Sequence, residues 1–224
     1  MAGLKTSELV SLGGAIDALQ SFPRAKFDET VELAFSLGVD PKKSDQMVRG
    51  TVTLPNGSGK VPRIVVVTGN EAKAKAAIEA GAVEAGHKEI IERISNGWLD
   101  FDVLVATPDV MRDLGRLGRI LGPKGLMPSP KTGTVAEDVV QAVEEVKKGK
   151  IEFKMDKSAN VHVLVGKISF TKDMLAGNCD AVVTALLRVK PPTAKGQYVK
   201  SMTLTSTMGP GMRLDVKEIL AGAK

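Results

Sequence analysis

Arg63-Ile64-Val65-Val66-Val67-Thr68-Gly69-Asn70 is the stretch on which the fold turns. Its four consecutive apolar residues show no polar alternation, the pattern of a strand covered on both faces, and Thr68-Gly69-Asn70 closes the run. Asn70 is a good N-cap for the Ala-rich segment Glu71 to Ala80, which Gly81 can end, so a helix follows the strand directly. A second unit has Ala82-Val83 as a short apolar step, then Ile90, Ile91 and Ile94 on one helical face before Gly97. In the third, Val103-Leu104-Val105-Ala106 is the strand, Thr107 the N-cap and Pro108 the first helical residue. Three such alternations predict a small parallel sheet in a three-layer α/β, Rossmann-like domain. Beyond it, Gly115 to Gly133 reads as a basic loop holding Arg116, Arg119, Lys124 and Lys131 without an acid. Val135, Val139, Val143 and Val146 then mark a helix ending at Gly149.

The flanks follow another pattern. Leu9, Leu12, Ile16 and Leu19 give an N-terminal helix, weakened by Gly13-Gly14. Val31, Leu33, Phe35 and Leu37 alternate with Thr30, Glu32, Ala34 and Ser36, as in a half-buried antiparallel strand, and Val48 to Leu54 repeats that pattern. Ile151 to Met155 and Val161 to Val165 are strands, and Thr171 caps a helix from about Asp173 to Val189 that Pro191-Pro192 stops. Tyr198 to Thr207 alternates again, with Met212 to Val216 as a last short strand. Both chain ends therefore build one split α+β domain, residues 1–57 and 149–224, around the α/β insertion 58–148. The insertion is entered through Asn56-Gly57-Ser58-Gly59 and left through Lys148-Gly149-Lys150, two glycine-bearing crossings suited to a hinge.

Charge sharpens that division. Of 31 Lys/Arg and 26 Asp/Glu, 13 of each fall in residues 58–148, so the whole net charge of +5 belongs to the split domain, where a polyanion would bind. No apolar run approaches the roughly 18 residues a bilayer crossing needs, and Glu8 and Asp17 interrupt any signal peptide. A reducing cytoplasm or organelle matrix is the expected address, with no membrane partner. One cysteine, Cys179, and two histidines, His87 and His162, leave no disulfide and no zinc constellation.

Catalytic patterns fail on spacing. A dinucleotide fingerprint needs three glycines where this chain has Thr68-Gly69-Asn70-Glu71, and Gly59-Lys60-Val61 and Gly166-Lys167-Ile168 lack the hydroxyl of a P-loop. Cys179 sits among Val182, Val183 and Leu186 as a core residue without a base. His162 alternates within a strand and His87 begins a helix, neither marked as a general base. The pairs Asp28-Glu29, Glu137-Asp138 and Glu144-Glu145 fall on expected solvent faces, and Met155, Met202 and Met208 can serve as core filler. No catalytic residue, metal or cofactor is assigned. The rival reading is an α/β phosphate- or nucleotide-binding enzyme that uses the basic loop. For nucleic acid, 4% aromatic residues exclude a stacking platform and leave recognition by shape, through hydroxyls, close backbone and Lys/Arg. Thr205-Ser206-Thr207-Met208-Gly209-Pro210-Gly211 suits that mode, and suits a plain strand-to-strand turn as well.

Five blocks resemble one family in order: Lys26-Phe27-Asp28-Glu29-Thr30-Val31-Glu32, Ser44-Asp45-Gln46-Met47-Val48-Arg49-Gly50-Thr51, Thr107-Pro108-Asp109-Val110-Met111, Gly118-Arg119-Ile120-Leu121-Gly122-Pro123-Lys124-Gly125-Leu126-Met127-Pro128, and Thr207-Met208-Gly209-Pro210. Together they are similar to the bacterial type of the large-subunit ribosomal protein L-one family, over about Pro23 to Val216. The resemblance implies a split domain that holds large-subunit ribosomal RNA on the mobile stalk near the tRNA exit site. It also implies an inserted α/β domain on a hinge, help in releasing deacylated tRNA, and repression of translation through the protein's own messenger RNA. Carried over by motif, the RNA-binding set is Lys26, Phe27 and Thr30, then Lys154, Asp156 and Ser158, then Ser201, Thr207, Met208 and Gly209. Asp156 would accept hydrogen bonds from 2′-hydroxyls or base amino groups, or orient Lys154 and Lys157. The implied partners are ribosomal RNA, own-operon messenger RNA and exit-site tRNA, for a protein monomeric off the ribosome and cytoplasmic on the large subunit. Family members usually begin with a basic stretch, whereas Met1 to Phe22 holds only Lys5, and Lys217 to Lys224 is given no function.

Overall fold

Thr30–Leu37 forms the strand around which the flanking parts of the chain assemble, in a computed structural model that describes residues 8–222. In chain order the first elements are α1 (Leu12–Ser21), β1 (Thr30–Leu37) and β2 (Arg49–Thr53). The inserted segment supplies β3 (Ile64–Val67), α2 (Glu71–Glu79), β4 (Glu84–Gly86), α3 (Lys88–Ser95), β5 (Val103–Ala106), α4 (Met111–Gly115), α5 (Gly118–Leu121) and α6 (Val139–Lys147). Last come β6 (Lys150–Lys154), β7 (Asn160–Lys167), α7 (Lys172–Arg188), β8 (Val199–Ser206), β9 (Met212–Leu214) and α8 (Val216–Gly222). The chain divides into two compact units, one made of the residues up to 59 and from 149 onward, the other of residues 60–148.

In the first unit an antiparallel sheet has the order β7-β1-β8-β9, with a second ribbon β2-β6 that meets β7 at a Met155–Val161 bridge. Val31, Leu33, Phe35 and Leu37 of β1 are all buried, and they share a core with Ile16 and Leu19 of α1 and Leu175, Cys179, Val182 and Leu186 of α7. That burial carries α1 through Gly13-Gly14 despite their poor helix propensity.

The second unit is a parallel sheet, β4-β3-β5, between two helical layers. Val65 and Val67 face the Ile90, Ile94 and Leu114 side, while Ile64 and Val66 face Ala77, Val139, Val143 and Val146. Covering on both faces explains the unbroken apolar run of β3.

Several expectations need correction. The strand placed at Ala82-Val83 lies at Glu84–Gly86, because the Ala82 amide still donates to Ala77 at the end of α2 and Val83 is left 59% exposed. Val135 belongs to no helix; it bridges to Ala106, and Asp138 caps α6 by accepting from the amides of Val140 and Gln141. Thr107 makes no side-chain cap, and its hydroxyl sits 3.4 Å from that of Thr68 ahead of a 3-10 turn, Pro108–Val110. The 115–133 segment is more than a loop, since it holds α5 and a 3-10 turn at Pro130–Thr132. Beyond β9, α8 forms where no element was expected, started by the Asp215 carboxylate accepting from the Lys217 amide at 2.8 Å. Lys5 and the side chain of Lys131 lie outside the described residues.

Asn178, fully buried inside the apolar stripe of α7, fixes the chain where it leaves the first unit. Its amide nitrogen donates to the carbonyls of Val165 and Gly57 at 2.7 and 3.0 Å, and its oxygen accepts from the Asn56 amide at 3.0 Å. Gly149 lies beside Gly57, so close that a Cβ there would stand 2.8 Å from the Gly57 Cα, and its φ of 93° also favours glycine. Asn178→Ala removes all three bonds and is expected to cost about 3 kcal/mol in urea unfolding.

Candidate nucleic-acid interface

Alternation along β1 sends one row of side chains into the core and leaves the other on an open face. Register defines that face. Glu32 lies between Leu164 of β7 and Thr205 of β8, Ala34 between His162 and Thr203, and Ser36 between Asn160 and Ser201. Arg213 of β9 pairs with Thr203. The middle row therefore runs His162, Ala34, Thr203, Arg213, with small side chains between two larger basic ones. His162, Ser201 and Arg213 are exposed and Leu164 is 43% exposed, so solvent reaches the whole face.

The ten residues singled out by motif do not form one cluster. Thr30, Thr207, Met208 and Gly209 gather where β1 begins, with Lys26 and Phe27 on the segment leading into it. Asp156 and Ser158 form the turn between β6 and β7, at the other end of β1, where Ser36 pairs with Asn160 and Ser201. Lys154 is exposed on β6 opposite Arg49. The two groups are separated by the length of β1, about 23 Å at the usual strand rise, and the open face joins them.

At the first group, hydrogen bonds decide which side chains are free. The Thr207 hydroxyl accepts from the Thr30 amide at 3.0 Å and donates to the Thr30 carbonyl at 3.3 Å. Met208 is 73% exposed and Phe27 54%, so these two apolar side chains are available to a partner. Lys167 donates to the Thr30 hydroxyl at 2.9 Å and to the Asp28 carbonyl at 3.3 Å, placing a cation here that the motifs did not name. Gly209 closes the turn through its amide to the Ser206 carbonyl, and a Cβ on it would lie 2.3 Å from the Ser206 Oγ.

Neither Asp28 nor Glu29 is an idle surface acid. Asp28 accepts from the hydroxyl of Ser169 at 2.8 Å. Glu29 is only 3% exposed and accepts from the Ala25 amide, the Ser206 hydroxyl and the Met208 amide at 2.9, 2.7 and 3.1 Å. Those three donors, the Ala25 amide first, hold its carboxyl below the ordinary value against the opposite pull of burial. A signal for it exists in the sequence, because position 29 shares the inward parity of Val31, Leu33 and Phe35.

Asp156 turns toward its own loop. Its Oδ1 accepts from the amides of Asn160 and Ser158 at 2.7 and 2.8 Å, and the Asn160 bond is the chief cause of its lowered carboxyl pKa. Met155 and Met202 are core residues, unlike Met208. Burial pushes the Cys179 thiol up to about 12, which keeps it protonated and poorly nucleophilic. His87 stands 3.7 Å from Asp113.

In the inserted unit, Arg112, Arg116 and Arg119 follow one another at helical spacing along α4 and α5 and are all exposed, while Leu114, Leu117 and Leu121 are buried. Lys124, in the turn after α5, is exposed as well. Among the described residues no helix is long and apolar enough to cross a membrane, and no group of three His, Cys, Asp or Glu is placed to hold a metal ion.

Residues 19–210 match the model of the Ribosomal protein L1p/L10e family. The chain is 52% identical over 215 residues to "Large ribosomal subunit protein uL1" of Chlamydia caviae, covering 96% of this chain and 92% of that protein. The proteins of the same name from Chlamydia pneumoniae and Protochlamydia amoebophila are 53% and 50% identical, covering 96% and 99% of this chain and 92% and 93% of theirs.

Two outcomes follow from the bonding at the first group. Thr207→Ala is expected to cost the fold about 1 kcal/mol in urea unfolding, whereas Met208→Ala, exposed and bonded only through its amide, should stay within about 0.5 kcal/mol of wild type. A carboxyl whose pKa is depressed by folding adds stability above its ordinary value of 4.5 and loses it as pH falls through the lower folded value. Unfolding measured across the acid range should therefore show wild-type stability declining below pH 4.5 more steeply than that of Glu29→Gln.

Proposed function

The chain belongs to the bacterial ribosomal protein L1 family, a structural and non-enzymatic one, and from that premise we propose that it holds large-subunit ribosomal RNA along the open face of its four-stranded sheet. The observation that carries this reading is the placement of the ten motif residues in two groups at the ends of β1, joined by a floor of mostly small side chains in which Glu32 also stands. Ala34, Ser36, Ser201, Thr203 and Thr205 let a sugar-phosphate backbone come close, and the hydroxyls of Ser36, Ser201 and Thr203 can pair with 2′-hydroxyls and phosphate oxygens. His162 and Leu164 border the floor on one side and Arg213 on the other. Lys26 and Lys167 add charge at the Thr30 end, Lys154 and Lys157 at the Asp156 end. Met208 and Phe27 supply the apolar contacts that cover a sugar or base face.

On this reading the protein is a constituent of the large ribosomal subunit, in the cytoplasm, and a monomer when free. The stalk position near the tRNA exit site gives the inserted unit its task, with Arg112, Arg116 and Arg119 turned to the phosphates of exit-site tRNA as deacylated tRNA is released. The same sheet face would bind a matching fold in the protein's own messenger RNA and repress its translation. The enzyme alternative is set aside with the family assignment.

Filter binding of a large-subunit ribosomal RNA fragment over a range of salt concentrations tests the site. Met208→Ala should lose on the order of 1 to 3 kcal/mol of affinity, and Lys26→Ala should flatten the salt dependence by about one unit of slope. Ala34→Trp, which raises the floor from its solvent side, should abolish tight binding. Wild-type affinity in both Met208→Ala and Ala34→Trp would overturn the assignment of this face.

A further inference from the structure

We propose that Glu29 is a positioning residue for RNA binding: it touches no RNA and sets the contact residues from two distant parts of the chain into one surface. The inference rests on the reading of the sheet face given above. Glu29 Oε1 accepts from the Ala25 amide, next to Lys26 and Phe27, and its Oε2 accepts from the Ser206 hydroxyl and the Met208 amide. A single carboxylate thus links the segment entering β1 to a turn 177 to 179 residues away.

Its chemistry is specific. Three donors converge on Glu29 and no acceptor does, so a carboxylate satisfies all of them, whereas an amide would point its NH2 at one of the donor groups. Charge is the lesser reason for an acid here: Arg24 attracts the carboxylate more weakly than the three donors do, and a carboxylate beneath a polyanion-binding surface weakens the attraction of Lys26 and Lys167. Geometry supplies the greater one. The Ser206 hydroxyl that donates to Glu29 fills the space where a Gly209 side chain would go. While that bond is made, a side chain at position 209 would run into the Ser206 hydroxyl, and the same turn displays Met208 to solvent.

The test uses the full-length chain with a large-subunit ribosomal RNA fragment, and follows urea unfolding in parallel. Glu29→Gln should weaken binding by about tenfold, the worth of one hydrogen bond to a charged group, and leave the salt slope unchanged because no phosphate contact is lost. In a Met208→Ala background the further loss should shrink to about threefold or less, since Glu29 acts largely through that residue. Ser206→Ala, which keeps the charge and removes one donor, should weaken binding in the same direction and serves if Glu29→Gln does not fold. Equal affinity of wild type and a folded variant, a tenfold loss undiminished by Met208→Ala, or a slope changed by a full unit would each overturn the proposal. A wild-type chain that fails to bind the fragment would instead overturn the RNA-binding reading itself.

Discussion

β1 is hydrogen-bonded along both edges by strands from the far end of the chain, β7 on one side and β8 on the other. This double pairing is the constraint on which the first unit depends. Its register decides which side chains are buried and which are displayed, and a slip of one residue would exchange the two sets. It also brings Thr30 to Thr207 at one end and Ser36 to Ser201 at the other, which is how residues scattered over the sequence share one face.

Some of the polar groups at the ends of such a face are spent on holding its own backbone. The Thr207 hydroxyl is spent on the Thr30 backbone, and the Asp156 Oδ1 on its own turn. Two side chains that belong to the motif set therefore shape the local backbone, while Met208 and Phe27 are left exposed. The recognition proposed for this face needs little aromatic surface and no reactive side chain, in keeping with a structural family.

Much of this fold can be read from periodicity. β1, β3 and α7 are long or uniform enough for their patterns to show, and the glycine-bearing crossings at Asn56-Gly57 and Lys148-Gly149 mark where the pattern changes. What escapes is short or disguised. β4 is three residues at a sheet edge, too few to display a period, and α8 is announced only by Asp215. Glu29 beside Asp28 looks like a solvated pair, and Asn178 in an apolar helix looks like an exception; both are buried polar groups with some partners more than 100 residues away. Parity points to their burial, but no local pattern can name their partners. The motif residues were legible as a set from the resemblance, whereas their separation into two groups depends on strand register and could not be seen without it.

Pairing between distant strands also sets an order on synthesis. The strands of the inserted unit all lie between Ile64 and Ala106, so this unit is complete once α6 has been made. β1 has no partner until β7 and β8 emerge, more than 120 residues after its own end. A nascent chain must therefore carry an unpaired β1 past a unit that is already folded, and Gly57 and Gly149, lying side by side, are where the late half rejoins the early one. The split unit, begun first, is finished last.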